Sequence, residues 1–238
     1  MRLAAVVTML MITLPVGGTD APDRVSLTYD VVALDGKLFL EKEPEPERLT
    51  LGSQAVSGDR LRTGPSAFAA LGVPSHTAVF RLGAKTSCTL AHERPGVLLH
   101  VEKGSVRALF GSYGGAEPRL VTTPSAVLAV RGTEYGLTVK KNGTTKLVVF
   151  DGVVEATDVD GVGPPIRVEA GQQTRIKTGT PPEPPSGHHM SPGDWERGHG
   201  VSPSGAAGVG AFGSPQGGAS GSPGAGSQGS GGSKRRGG

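Results

Sequence analysis

Alternation with a period of two runs through most of this chain and limits its fold more than any other feature. The runs VSLTYDVVAL, TAVFRL, VLLHVEKGSVRAL, YGLTV, KLVVF and IRVEA place apolar side chains at about every second position. That is the spacing of a half-buried strand. Turn chemistry punctuates the runs at Asp35-Gly36, Gly58-Asp59, Lys103-Gly104, Asn142-Gly143, Asp151-Gly152, Asp160-Gly161 and Ala170-Gly171. Beyond the N-terminal apolar run, no segment of ten or more residues holds a helical period. Short alternating strands at this spacing predict an all-β domain over residues 24–178.

A loose internal repeat refines the architecture. VVALDGKLFL, LHVEKGSVRAL and LVVFDGVVEAT share one form: an apolar strand, a charged residue, Gly, and a second apolar strand. Such units bury an apolar face only by stacking on one another. Their spacing is irregular, so the expectation is a rolled, β-helix-like or sandwich arrangement of short antiparallel strands rather than a strict solenoid. KEPEPER (Lys42 to Arg48) carries Pro44 and Pro46, which remove ladder donors, and reads as a surface loop.

The two ends differ from the middle. Arg2, an apolar run from Leu3 to Leu14, Pro15 and the small residues Gly17 and Gly18 form the layout of a secretory signal over residues 1–18. The run is too short to span a bilayer of ~30 Å as a helix. The mature protein is therefore expected to be exported, periplasmic or extracellular, and not membrane-spanning. Of the 39 glycines, 19 lie between Gly179 and Gly238. That Gly/Ser/Pro-rich stretch offers little apolar surface against an ordering entropy of roughly 1–2 kcal/mol per residue, so a disordered tail is expected over residues 179–238. Within it, HHMSPGDWERGH (His188 to His199) is the one patch expected to dock on something.

Asn142-Gly143 is the strongest hairpin signal, because a type I′ turn needs positive φ at both central residues. With a two-residue turn, Val139 pairs with Lys146, Leu137 with Val148 and Tyr135 with Phe150. Extending the count puts Arg131 on the apolar Tyr135 face. Either a bulge at Gly132 turns Arg131 outward, near Glu134, or the guanidinium stays inside with its donors satisfied by carbonyls or a carboxylate. The bulge is the favoured arrangement, and in both the main role expected for Arg131 is to tie a strand bend to a neighbouring loop, with a ligand-binding arginine as the lesser alternative.

Catalytic and nucleic-acid functions find little support. Residues 19–178 hold 19 basic and 18 acidic residues, and no basic stripe interleaves with aromatics, so no nucleic-acid partner is expected. Cys88 is the only cysteine, which excludes an internal disulfide, and its alternating context reads as a small buried apolar group. His76, His92 and His100 lie in separate segments. His188, His189 and His199 fall in the tail without a cysteine or an organised carboxylate. Ser66, Ser75 and Ser87 lack a nucleophile-elbow context, and no phosphate loop appears. No enzymatic activity, metal or cofactor is expected.

TTPSAVLAVRGTEYGLTVKKNGTTKLVVFDGVVEAT resembles the signature of the FecR domain: a Thr-Pro, an alternating strand, Arg-Gly-Thr with an acidic residue and an aromatic, then an acidic residue, Gly and Val. GDRLRTGPSAFAAL, TAVFRLGAKTSCTL, VEKGSVRAL and VEAGQQTRI resemble further pieces of the family in the same order, over residues 58–176. The signature positions are Thr123, Pro124, Arg131, Gly132, Thr133, Glu134, Gly152 and Gly171, all expected to be structural. The resemblance implies an extracytoplasmic β domain that works by protein contact. The best-known members relay a signal from an outer-membrane iron-siderophore receptor to a cytoplasmic sigma factor. They carry a sigma-binding segment and a spanning helix that are not recognised in this sequence, so only the domain carries over. The main expectation is an exported, non-catalytic binding or scaffold module contacting an envelope protein or polysaccharide. The alternative is a component of iron-uptake-type extracytoplasmic signalling that regulates a sigma factor through a membrane partner.

Overall fold

The computed structural model describes residues 26–91, 95–112, 114 and 119–202. The expected signal at 1–18, His92 and residues 203–238 lie outside the described residues. Among the described residues, seventeen strands form two sheets that share one strand. The first sheet runs, in spatial order, through β4 (Gln54–Val56), β1 (Thr28–Asp35), β6 (Phe68–Val73), β7 (Ala78–Leu82), β9 (Val97–Phe110), β12 (Glu134–Val139), β13 (Thr145–Asp151), β16 (Gln172–Ile176) and β17 (Ser186–Gly187). The second takes β3 (Glu47–Leu49), β2 (Leu38–Leu40), β5 (Arg60–Thr63), β8 (Ser87–Leu90), β9 again, β10 (Arg119–Thr122), β11 (Ala126–Val130), β14 (Val153–Asp158) and β15 (Ile166–Glu169). All pairings are antiparallel except β9 with β10. The chain thus winds between two sheets, an all-β roll of the expected class.

The internal repeat marks where the winding happens. Each repeat is a corner between sheets, not a hairpin. β1 leaves the first sheet at Gly36 and continues as β2 in the second; β13 does the same through Gly152 into β14. β9 makes the reverse passage without a break. Up to Lys103 it pairs in the second sheet, and from Gly104 it pairs with β12 and then β7 in the first. Gly104 has φ of +105°, and a Cβ there would lie 2.5 Å from Thr86 Cα. Lys103-Gly104, expected as a turn between two strands, is therefore a bend inside one fourteen-residue strand. Its positive φ redirects the chain without reversing it.

The alternating side chains converge in one core. Val31, Leu71, Phe80, Tyr135 and Leu147 from the first sheet pack with Leu38, Leu61, Cys88, Leu128 and Val154 from the second. Each such large apolar side chain contributes about 1.5–3 kcal/mol on full burial. Tyr29 spans the interior and donates its hydroxyl to Leu98 O at 2.6 Å. Cys88 is fully buried, and desolvation pushes its thiol up to about 12.

Two expectations are corrected. The β12–β13 register is one residue off the predicted one: Val139 pairs with Thr145, Leu137 with Leu147 and Gly136 with Val148. Lys140 N donates to Thr144 O, Gly143 N donates to Lys140 O, and Gly143 but not Asn142 has positive φ. The loop is three residues long and closes on a glycine bulge, the next commonest hairpin after the two-residue type. A second irregularity skips Phe150, so it does not pair with Tyr135. Tyr135 instead stacks on Phe110 in the core, with centroids 6.1 Å apart.

The second correction concerns the tail. Order continues past Thr178 to Ser202. β17 adds to β16, and residues Pro192–His199 form helix α1. Composition alone misleads here, because a single tryptophan supplies the apolar surface that the surrounding Gly and Pro lack.

Two expectations follow for measurement. Gly171→Ala, at φ of +79° with open space around its Cβ position, costs about 1–2 kcal/mol in denaturant unfolding. Gly152→Ala has the same backbone strain and a Cβ 2.6 Å from Gly132 O; its loss is roughly twice as large or more. The native Cys88 thiol resists an aromatic disulfide reagent at pH 8 and reacts at once in denaturant; rapid native labelling would contradict its burial.

Candidate functional site

The signature residues lie at two ends of the roll: Thr123 and Pro124 beside the start of β13, and Arg131 to Glu134 with Gly152 and Gly171 around its end. Thr123 is buried, and its hydroxyl accepts from Ala126 N at 2.9 Å and from Ser125 N at 3.3 Å while contacting Thr145 Oγ1 at 2.7 Å. Ser125 Oγ donates to Thr145 Oγ1 and sits 3.1 Å from Ile176 O. This hydroxyl cluster ties the β10–β11 turn to β13 and β16. Pro124 is exposed, and its carbonyl accepts from Thr178 Oγ1 at 3.1 Å. Arg131 and Gly132 lie between β11 in the second sheet and β12 in the first, with Gly132 at φ of +60°. Thr133 is buried, and its carbonyl accepts from Phe110 N. The close approach of Gly152 to Gly132 O and Thr133 puts the Arg-Gly-Thr and Asp-Gly-Val segments in direct contact. Gly171 N donates to Val149 O, and Ala170 N donates to Gly152 O.

Arg131 departs from its expected role. It points into solvent, as the outward arrangement requires, but it makes no ion pair or hydrogen bond among the described residues. Glu134, expected beside it, accepts from Arg107 Nε at 2.9 Å. The buried guanidinium satisfied by carbonyls does exist, at a different residue. Arg119 on β10 is 3% exposed, donates to His76 O and Gly111 O, and lies over the Phe110 ring at 5.1 Å.

The outer face of the first sheet carries a second cluster that the C-terminal segment covers. Ser191 caps α1 by accepting from Asp194 N at 3.1 Å; Pro192 opens the helix, Arg197 and His199 lie in its last turn, and Gly200 ends it at φ of +62°. These are ordinary helix boundary signals. Trp195 is 1% exposed among Phe68, Ala70, Val148 and Phe150. Gly136 makes room for it: a Cβ there would lie 2.7 Å from Trp195 Cδ2. His199 stacks on the indole at 4.3 Å, and Phe150 meets it edge-on.

Beside the indole lies a charge network. Glu196 is 6% exposed and contacts Arg81 Nη1 and Arg107 Nη1 at 2.8 Å each. Arg107 also binds Glu134, so two guanidinium groups balance two carboxylates. Burial pulls the Arg81 guanidinium below its usual value, and Glu196 opposes that pull.

Two of the three tail histidines are held by the fold, and His189 is exposed. His188 Nε2 lies 3.0 Å from Val149 O, and His199 Nδ1 lies 2.7 Å from Trp195 O. Among the described residues no three His, Cys, Asp or Glu side chains converge on a metal-sized space. Sequence reasoning missed the Ser191-Pro192 cap and the Glu196 partners. The cap was legible as a helix start; the partners were not, because they come from distant strands.

Glu196→Gln leaves two half-buried guanidinium groups short of a charge and costs about 3 kcal/mol. Gly136→Val expels the indole. Trp195 is the only tryptophan of the chain, so a red-shifted emission with strand content retained is the expected result, and an unchanged spectrum would contradict the docking.

Residues 59–155 match the model of the family described as FecR protein. The chain is also similar to two crystal structures of a candidate anti-sigma factor from Parabacteroides distasonis ATCC 8503, solved at 2.50 Å and 1.65 Å. Each is 16% identical with a TM-score of 0.45, and the match covers 54% of this chain and 59% of that one. The chain thus spans under two thirds of the length of those structures. No curated protein matches it. The corner that joins Arg-Gly-Thr to Asp-Gly-Val lies inside the stretch that matches the FecR family model.

Proposed function

We propose that this protein is a non-catalytic component of extracytoplasmic signalling, exported from the cytoplasm, that regulates a sigma factor by contact with a membrane-associated protein partner. The family match over residues 59–155 carries this reading. It favours signalling over the scaffold or polysaccharide-binding role expected first from the sequence, which no feature of the fold supports. The reading assigns the transmembrane step to the partner; no helix among the described residues is long and apolar enough to cross a membrane.

The signature residues divide by environment. We read Thr123, Thr133, Glu134, Gly152 and Gly171 as framework, because the Thr123 hydroxyl, the Glu134 carboxylate and the backbone of Thr133, Gly152 and Gly171 are engaged within the roll. Of the remaining positions Pro124, Arg131 and Gly132, only Arg131 carries a charge; it is exposed and without a partner among the described residues. It is the residue we assign to partner contact, through the planar fork that guanidinium offers to carboxylates.

A photo-crosslinking residue at position 131 of the full chain, expressed in its native host, tests this. The expected product is one dominant adduct with a membrane-associated protein, and deleting the gene is expected to change a sigma-dependent transcript set. Arg131→Ala is expected to keep stability within about 0.5 kcal/mol, as exposed substitutions do, while losing capture of the partner. No adduct and an unchanged transcript profile would overturn the reading.

A further inference from the structure

We infer that a basic cleft at the β9 bend receives an acidic segment of a protein partner; this rests on the protein-contact reading above. The cleft measures about 520 Å³ and is lined by Arg62, Lys85, Lys103, Lys140 and Lys141, with no carboxylate among its lining residues. These cations come from four separate places: β5, the β7–β8 turn, the bend of β9 and the β12–β13 hairpin. The folded chain, not the sequence, brings them together. Residues 19–178 are nearly neutral, so the fold segregates charge at this end.

The lysines are the available cations. Arg62 is paired outside the cleft with Glu41 at 3.0 Å. The four lysines are exposed and make no ion pair among the described residues. Like charges held within about a Debye length of one another repel, and that cost is relieved by an anion. The base of the cleft is rigid. Thr86 N donates to Thr63 Oγ1 at 2.9 Å, and Ser105 N donates to Thr86 Oγ1 at 3.1 Å. Gly104 holds the bend against Thr86. The lysines therefore project from a fixed frame.

The occupant follows from what accompanies the charge. No aromatic side chain lines the cleft, so it lacks the stacking platform that single-stranded nucleic acid uses. Val32, Leu51 and Val56, large exposed apolar residues, lie around β1 and β4 and not in the cleft, so no apolar anchor accompanies the lysines toward a lipid surface. Val139, Ala84 and Pro65 add apolar contact to the lining. A concave site with a partly apolar lining and a lysine rim matches an extended peptide bearing several Asp or Glu residues. The chain cannot supply it from residues 203–238, which contain no Asp or Glu.

The test uses the full chain and a fluorescein-labelled, glutamate-rich peptide, followed by anisotropy at about 0.05 and 0.15 M salt. Wild-type protein is expected to bind, more weakly at the higher salt. Lys103→Glu/Lys141→Glu is expected to lose at least tenfold in affinity, and Lys85→Gln/Lys140→Gln a smaller part. Arg48→Glu/Arg167→Glu makes the same net charge change elsewhere and is expected to stay within twofold of wild type. Equal loss in that control, or no loss in the cleft variants, overturns the proposal. So does lysine-dependent binding to phosphatidylglycerol vesicles without peptide binding, which would assign the cleft to lipid. Partner capture separates the two readings. If wild type and Lys103→Glu/Lys141→Glu capture the partner equally, the cleft proposal fails and the signalling reading stands. If wild type captures nothing, the signalling reading fails, and the cleft proposal fails with it because it depends on a protein partner.

Discussion

The structure depends on the chain's ability to turn a corner between two sheets without reversing. Glycines with positive φ mark such passages, among them Gly36, Gly104, Gly132, Gly152 and Gly171. A residue with a Cβ would be strained at each, and at Gly104 and Gly152 it would also collide with backbone across the corner. The corners hold two otherwise separate sheets around one core, and β9 stitches them by belonging to both. Without disulfides, this winding and the apolar side chains it encloses are what keep the domain closed.

Much of this was legible in the sequence, and the misreadings have physical reasons. The strand–Gly–strand repeat is visible as text, and period-two alternation correctly gives strands on both sides of each glycine. A hairpin and a corner both ask for positive φ at one residue, so Lys103-Gly104 reads as a reversal when it is a bend. At Asn142-Gly143 a type I′ turn and a glycine bulge differ by one residue of loop, and that residue shifts the whole β12–β13 register. Local counting leaves two arrangements open for Arg131; it faces outward, and Glu134 is taken by Arg107 from a strand far away in sequence. Local patterns carry strand identity; long-range pairing decides who meets whom.

The C-terminal segment shows the limit of composition. Residues 179–202 lie in Gly/Pro/Ser-rich sequence, yet a two-turn helix there places the indole of Trp195 and the carboxylate of Glu196 on the outer face of the first sheet. The acceptor surface is specific: Gly136 is hollow where the ring lies, and Arg81 and Arg107 flank the carboxylate. Eight residues are too few for periodicity to register, so the signal lay in the cap and in one aromatic residue. A buried network of this kind fixes position more than it adds stability.

The boundaries of the family match have a practical meaning. That match ends at residue 155, while β16 supplies the hydrogen-bonding neighbour of β13 along Thr145–Val148 and α1 covers the aromatic face next to it. A fragment trimmed to the matched residues would keep the signature but carry a bare ladder edge bordered by Val148 and Phe150. Such an edge recruits any extended strand it meets, so that fragment would be adhesive for reasons unrelated to its biology. Binding experiments on it would report the cut.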